Sequence, residues 1–208
     1  MDPARNELLG LEKERGLLNM APRQHGFNLI EVMVTLTVLS ILIALGVPGF
    51  VEWLQSQRVR ASAEAITNGM QVARGEAIRR NLPVVLGLEP PTTAWTVCQA
   101  TVSPCDSTTA AANMIQNKSG AESSGDSKIA PTPVGAILVT FSPLGAVVSN
   151  FDGSASLKQV DVFYSDPALC SAAGGTMRCL RVVVTPGGNT RMCDPTPTIV
   201  APDPRACP

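Results

Sequence analysis

The chain has 208 residues, enough for one domain and an additional segment, and its 16 basic and 17 acidic side chains leave it almost neutral. This balance excludes a partner that is recognised by overall charge alone. Since only 4% of the residues are aromatic, the core must consist mainly of Val, Ile, Leu and Ala.

Residues 1–26 form a polar leader in front of the first apolar run. Two interpretations are open: either the whole segment is a long leader, or translation begins at Met20 and the leader is the short basic segment 20–26. Residues 4–18 carry only a weak helical pattern with mixed charge, which no later part of the chain requires. This favours the start at Met20.

The next segment, residues 27–51, is predicted to be a membrane-spanning helix. Its residues from Val32 to Val51 include no charged side chain, and twenty helical residues span roughly 30 Å of hydrocarbon. Glu31 stands at the head of this run, where insertion costs about 2.5–3.5 kcal/mol, so we expect the carboxylate to have a function. Pro48, between two glycines, removes a helical hydrogen bond and predicts a bend.

A cleaved secretory signal is an alternative for the same run, because Ala44-Leu45-Gly46 resembles a small-residue cleavage site. The charge of Glu31 and the length of the run argue against it. Arg23 in front of the helix favours the cytoplasm for that side of the membrane, which would place the remainder of the chain outside the cytoplasm.

Residues 52–81 have the pattern of an amphipathic helix that lies on an apolar surface. Apolar residues recur at alternating spacings of four and three, and polar residues occupy another face. The apolar positions are Val59, Ala63, Ile66, Met70, Ala73 and Ala77. Gly69 and Gly75 weaken the helix by about 1 kcal/mol each, which indicates that packing holds it. Asn81 and Pro83 predict its end.

Residues 82–208 are predicted to form a β-rich domain. Short segments rich in branched and aromatic residues predict five strands, at Val84–Leu88, Ala94–Cys98, Ala136–Phe141, Val160–Tyr164 and Leu180–Thr185. Turns follow at Pro143 to Gly145 and at Pro186 to Asn189, the second returning through Thr190–Cys193. The stretch 101–133 lacks periodicity and is predicted to be a long loop outside the core, with a short helix near Ala110–Gln116.

All the cysteines follow the apolar run, which indicates disulfides in an oxidising compartment. They are Cys98, Cys105, Cys170, Cys179, Cys193 and Cys207. Six cysteines allow fifteen connectivities; the short loop favours Cys98 with Cys105, and Cys193 with Cys207 would hold the tail and leave Cys170 with Cys179. Since no Cys-x-x-Cys pair or histidine lies among them, we expect no metal site.

The sequence after the leader does not contain a recognisable set of catalytic residues. The only histidine, His25, lies in the leader, and Asp152, Asp161 and Asp166 are spread over a strand and loops. Gly187-Gly188 is better explained as a hairpin turn than as a phosphate-binding loop. We therefore predict that the chain is not an enzyme and needs no cofactor.

The segment Gly26-Phe27-Asn28-Leu29-Ile30-Glu31 resembles the prepilin peptidase site of type IV pilins and type II secretion pseudopilins. The resemblance implies cleavage between Gly26 and Phe27, N-methylation of Phe27, and a role for Glu31 in assembly. Asn28 stands where Thr or Ser is usual, and pilins commonly carry a proline at the distance of Pro48. The new amine on Phe27 would be neutralised by Glu31 of a neighbouring subunit, which offsets the cost of burying either charge.

The order of the later features resembles the GspH/FimT subgroup of minor pilins and pseudopilins. The features are the segment Arg74–Asn81, the strands, Phe141–Gly145 and the hairpin that closes at Arg191–Pro195. This implies an α+β, type IV pilin-like fold, with a long N-terminal helix, membrane-spanning in its first half, packed on an antiparallel sheet with disulfides.

The same resemblance implies a noncatalytic subunit that helps to initiate assembly of a type IV pilus or a type II secretion pseudopilus. Its implied partners are prepilin peptidase, other major and minor pilins or pseudopilins, membrane lipid and the inner-membrane assembly platform. The implied location is the bacterial inner membrane, crossed once, with the C-terminal domain in the periplasm.

DNA binding during natural transformation is the alternative function. After Cys170 the chain has four arginines against two aspartates, and arginines on a terminal hairpin suit phosphate contacts. The candidates are Arg178, Arg181 and Arg191. Some relatives in the subgroup take up DNA through a Gly-Arg-x-Arg motif, where this chain has Gly188-Asn189-Thr190-Arg191 and so keeps one of the two arginines.

Overall fold

The structure is a computed structural model that describes residues 26–101, 104–119 and 126–208. The leader, apart from Gly26, therefore lies outside the described residues. The chain divides into two compact units, Met1–Val47 and Pro48–Pro208, which are described separately.

The described part of the first unit is dominated by the beginning of helix α1, whose bounds are Leu29–Arg80. Its apolar side chains are exposed, as expected for a surface that meets lipid or other helices rather than a core of its own. The helix contains a window with a mean hydropathy of 2.4, apolar enough to cross a membrane. The helix is continuous through residue 48, and the bend predicted at Pro48, on the boundary between the units, stays a prediction.

The second unit is built on the remainder of α1, and the structure buries the apolar stripe of this helix. Val59, Ala63, Ile66, Met70, Ala73 and Ala77 are all at most 1% exposed. Gly69 lies on the same face, where a Cβ atom would come within 2.8 Å of Trp95 Cδ2. The missing side chain lets the Trp95 ring pack directly on the helix, so packing offsets the low helix propensity of this glycine.

In the described residues, nine strands follow α1 and form two antiparallel sheets. The first sheet has the order β3-β2-β1-β5-β6 and the second has the order β4-β7-β8-β9. The strands are β1 Val84–Leu88, β2 Trp95–Gln99, β3 Met114–Lys118, β4 Ser127–Thr132, β5 Leu138–Phe141, β6 Val147–Val148, β7 Gln159–Tyr164, β8 Leu180–Val184 and β9 Thr190–Cys193. Two short 3₁₀ helices, Pro167–Leu169 and Ser171–Ala173, separate β7 from β8. The fold class is α+β.

The prediction of a long loop over residues 101–133 is wrong. Strand β3 stands where a short helix was expected near Ala110–Gln116, and strand β4 buries Ser127 and Ile129. Both are edge strands that pair on one side only, with β2 and β7 respectively. Edge strands tolerate polar residues and proline, such as Pro131 in β4. This composition hides the alternation of apolar and polar residues from which strands are predicted.

One apolar core joins the helix to both sheets. It contains Ile66 and Met70 of α1, Leu86 of β1, Phe141 of β5 and Val160 of β7, all at most 1% exposed. Burying side chains of this size stabilises a fold by about 1.5–3 kcal/mol each, so the helix and the sheets depend on one another.

Three disulfides reinforce the second unit at its margins. They join Cys98 to Cys105, Cys170 to Cys179 and Cys193 to Cys207, the pairing that the sequence spacing favours. Each closes a short loop, of 7, 9 and 14 residues in sequence separation respectively. These bonds hold local segments and do not connect distant parts of the chain.

Candidate functional site

The residues of the predicted cleavage site lie immediately in front of helix α1. Gly26, Phe27 and Asn28 are not helical, and Phe27 is 84% exposed. The Val32 amide donates to the Asn28 carbonyl oxygen at 3.2 Å, so the helix takes its first backbone acceptor from Asn28. Asn, Ser and Thr are all favoured at this N-cap position, which explains why Asn28 is a mild change from the usual Thr or Ser. The bond between Gly26 and Phe27 is therefore in an accessible, non-helical segment.

Glu31 lies in the first turn of α1 and is exposed. At this end of a helix the unpaired amides and the macrodipole favour a negative charge, so the carboxylate suits its position before any partner binds. It also lies only four residues after Phe27, at the accessible cleavage bond. The structure thus presents Glu31 on the outside of the helix, where a neighbouring subunit can reach it.

The hydroxyl groups of the uncharged run are satisfied within the helix itself. Thr35 Oγ1 donates to Val32 O at 2.9 Å, and Thr37 Oγ1 donates to Val34 O at 2.8 Å. Ser40 Oγ donates to Leu36 O at 2.8 Å. Because a polar group without a partner is costly in hydrocarbon, these bonds let the run enter an apolar environment intact.

Arg74 of α1 connects the helix to two turns that are distant from it in sequence. Its Nε donates to Gly145 O at 3.0 Å and its Nη1 donates to Asn189 Oδ1 at 3.1 Å. The two turns also touch each other, since the Val147 amide donates to Pro186 O at 2.9 Å. A Cβ atom on Gly188 would collide with the Gly145 carbonyl, so the contact requires glycine.

The role of Arg74 was missed by sequence reasoning, because an arginine on the polar side of an amphipathic helix has the pattern of a solvated residue. The available signal was indirect. Gly145 and Gly188 both have positive φ, +77° and +76°, and the turn composition around them marked both loops. These are the segments on which the resemblance to the GspH/FimT subgroup depends.

The three arginines considered for DNA contact are all engaged inside the chain. Arg181 of β8 makes a bidentate ion pair with Asp161 of β7, at 2.6 and 3.0 Å, and these hydrogen bonds raise the pKa of Arg181. Arg178 Nε donates to Asp194 Oδ2 at 2.9 Å. Arg191 Nη2 donates to the carbonyl oxygens of Pro204 and Ala206, at 2.7 and 2.9 Å. Each contact fixes a strand or the C-terminal segment.

The scattered aspartates have local structural roles. Asp152 accepts from the Ser154 amide at 2.9 Å, and its hydrogen bonds with Ser154 lower the pKa of Asp152. Asp166 caps the first 3₁₀ helix by accepting from the Ala168 amide at 2.8 Å. In the part of the chain that the structure describes, His, Cys, Asp and Glu do not form a group of three or more that could hold a metal ion.

Two family profiles match the chain. The profile described as prokaryotic N-terminal methylation motif matches residues 21–47, and the one described as type II transport protein GspH matches residues 62–188, more than half of the chain. The chain belongs to the GspH family. It is therefore a pilin-like protein of the minor pilin and pseudopilin class, with a membrane-anchoring N-terminal helix. Proteins of this class are structural subunits that interact with other pilins or pseudopilins.

Two solved structures are similar to this GspH-family chain. The type IV minor pilin FimU of Pseudomonas aeruginosa strain PAO1 is 13% identical, and the match covers 65% of this chain and 88% of that one with a TM-score of 0.47. The minor pseudopilin EpsH from the Type 2 Secretion System of Vibrio cholerae is 14% identical, over 66% of this chain and 98% of that one, with a TM-score of 0.44. No curated protein matches the chain significantly in sequence.

Proposed function

We propose that this GspH-family chain is a minor, noncatalytic subunit that helps to initiate assembly of a type IV pilus or a type II secretion pseudopilus. The observation that carries the proposal is the position of Glu31, exposed in the first turn of α1 and directly behind an accessible Gly26-Phe27 bond. A carboxylate at this position suits the pairing with an amine that cleavage would create.

Processing and location follow from the same proposal. Prepilin peptidase cleaves after Gly26, Phe27 is N-methylated, and the inner-membrane assembly platform receives the subunit. Residues 27–51 cross the inner membrane once, and residues 52–81 and 82–208 form the periplasmic helix and domain. The disulfides support an oxidising compartment for the second unit.

DNA uptake is not proposed, since no observation favours it. Arg178 and Arg181 are paired with carboxylates, and Arg191 is bonded to the C-terminal segment. These bonds fix strands and the C-terminal segment, and none of them indicates a nucleic-acid ligand.

The experiment compares Glu31→Ala with the wild-type chain in a host whose own copy has been deleted. We expect the variant to be cleaved normally, as mass measurement of its N-terminus would show, but to be absent from purified filaments. Thr35→Ala is the matched control, because its side chain is exposed on the same stretch of helix and its hydroxyl is bonded only to its own backbone. Normal incorporation of Glu31→Ala, or equal loss of the control, would sink the proposed role.

A further inference from the structure

A cleft with both polar and apolar residues in its lining lies within the second unit between α1 and the C-terminal segment. Its volume is about 290 Å³, and its lining includes Gln57 and Arg60 of α1, Arg178 in front of β8, Asp194 after β9, and Arg205. Three arginines therefore line one open cleft. The proposed function assigns them no task.

Each guanidinium is held in place by a carboxylate. Arg178 is bonded to Asp194, which is only 3% exposed and also accepts from Thr196, so the base of the cleft is rigid. Arg60 Nε pairs with Glu64 at 2.8 Å, and Arg205 pairs through two nitrogens with Asp203. The arginines are thus oriented before any ligand arrives, which reduces the entropy that binding must overcome.

These ion pairs leave room for a second oxyanion. A guanidinium has five N–H donors, and the pairs of Arg60 and Arg178 are made through Nε. The side chains of Arg60 and Arg178 remain 61% and 51% exposed. Since three carboxylates balance the three arginines, an anion would be bound by directed hydrogen bonds rather than by net charge. Phosphate oxygens suit the planar fork of arginine.

The position of the cleft along α1 indicates where the phosphate comes from. Trp53 is exposed and stacks on Phe50, with ring centroids 5.8 Å apart, at the end of the uncharged run that closes with Val51. Tryptophan at such a boundary is typical of the membrane–water interface. At about 1.5 Å per residue, Ser56 follows Trp53 by roughly 5 Å, within a headgroup layer of about 5–8 Å, and Arg60 follows it by roughly 10 Å, at the outer edge of that layer.

We propose that this cleft binds the headgroup phosphate of an anionic phospholipid in the membrane that anchors the chain. The inference rests on the membrane-anchored part of the proposed function. A duplex of nucleic acid fits the observations less well, because the cleft is small and its α1 residues closely follow Trp53 in the chain, where anionic headgroups would repel DNA.

The test uses the full chain purified in a neutral detergent, with native mass spectrometry to measure bound lipid. The probes are phosphatidylglycerol and phosphatidylcholine with identical acyl chains, inorganic phosphate, and a short DNA duplex. We expect phosphatidylglycerol to bind at least five-fold more tightly than phosphatidylcholine. Arg60→Gln combined with Arg205→Gln should weaken that binding about tenfold, as expected for the loss of a hydrogen bond to a charged group.

Arg79→Gln is the matched control, since Arg79 is exposed, carries an ion pair with Glu76 and lies on the same helix outside the cleft lining. It should keep the wild-type affinity. The changed arginines are exposed, so the double variant should fold, which its circular dichroism would verify. Equal binding of the two lipids, or no effect of the double variant, would overturn the proposal.

Two further results would also overturn it by identifying another ligand. Inorganic phosphate that displaces the lipid at equal concentration would indicate a free-phosphate site, and DNA that binds with the same dependence on Arg60 and Arg205 would indicate a nucleic-acid site. Loss of filament incorporation in Glu31→Ala is measured separately. A failure of the assembly role and a failure of the lipid site are therefore distinguishable.

Discussion

Arg74 and Gly145 are joined by a hydrogen bond of 3.0 Å, from the Arg74 Nε to the Gly145 carbonyl oxygen. The bond ties helix α1 to the turn between β5 and β6, in the first sheet. The same guanidinium reaches Asn189, in the turn between β8 and β9 of the second sheet. One side chain of the helix therefore connects the ends of both sheets.

Gly145→Ala should destabilise the chain more than the same change at Gly135. Both residues have positive φ, +77° and +79°, which costs an L-residue about 1–2 kcal/mol. At Gly145 the new Cβ would also lie 2.9 Å from Arg74 Nε, whereas at Gly135 it would meet nothing within 4 Å. We expect an additional loss of about 1 kcal/mol from the disturbed hydrogen bond. Denaturant unfolding in detergent measures the difference, and equal losses would contradict it.

Gly69→Ala and Gly75→Ala should change stability in opposite directions. Both glycines lie in α1, where alanine is favoured by about 1 kcal/mol. At Gly69 a Cβ would come within 2.8 Å of the Trp95 ring and 3.0 Å of Leu86 Cδ1, and overpacking of this kind costs about 1–3 kcal/mol. At Gly75 the space is open. The free energy of unfolding should fall for Gly69→Ala and rise for Gly75→Ala. A rise for both would show that the Trp95 contact is loose.

Asp194 should contribute a pH-dependent part of the stability. Burial by itself raises the pKa of this carboxyl, but hydrogen bonds from the Thr196 hydroxyl and amide and from Arg178 outweigh it, so the pKa of Asp194 is lowered. A folded pKa below the unfolded one means that the stabilisation is present above the unfolded value, about 3.9, and is lost as the pH falls through the folded pKa.

Asp194→Asn tests that dependence. It should lower the free energy of unfolding at pH 7 by about 1–3 kcal/mol and flatten the decline of stability below about pH 4. Thermal unfolding followed between pH 7 and pH 2 measures both effects. An unchanged slope in the variant would assign the acid sensitivity to other carboxylates.

The disulfide between Cys193 and Cys207 should stabilise the C-terminal segment locally. Replacing both cysteines with serine removes a link with a sequence separation of 14, worth about 3 kcal/mol by loop-closure entropy. Arg191 and the Asp194 amide still hold carbonyl oxygens of that segment. Because these few hydrogen bonds constrain the segment less than the covalent link does, we expect limited proteolysis to cut first within residues 194–208. Cleavage spread over the whole second unit would contradict this local role.

The sequence predicted the central elements of the fold better than its margins. The buried stripe of α1 and the bounds of β1 follow from patterns that one-sided or complete burial imposes, and the bounds of β9 follow from the hairpin turn in front of it. Strands β3 and β4 escaped prediction because edge strands pair on one side and carry polar residues or proline. For the candidate site, the N-terminal segment was recognisable from its motif alone, and its roles in cleavage and assembly stay predictions.

The contacts of Arg74 and the cleft around Arg178 were not predictable in the same way. They depend on side chains that are distant in sequence, and the hydrophobic periodicity of a segment does not predict such contacts. Arg74 and Asn189 are 115 residues apart, and Arg178 and Asp194 belong to different strand ends. Periodicity reports which face of an element is apolar, but it does not report which polar groups meet after folding.

The hydroxyl groups of Thr35, Thr37 and Ser40 donate to backbone carbonyl oxygens of their own helix. This affects which rotation of the whole helix about its axis is favoured in lipid. Side chains that already donate to their own backbone do not favour one rotation over another in lipid. Glu31 is the charged side chain at this end of the run, so it favours one rotation of the helix over the others. The rotation of an arriving subunit about its helix axis would then be set at the first turn of the helix, where the Glu31 carboxylate pairs with a cation.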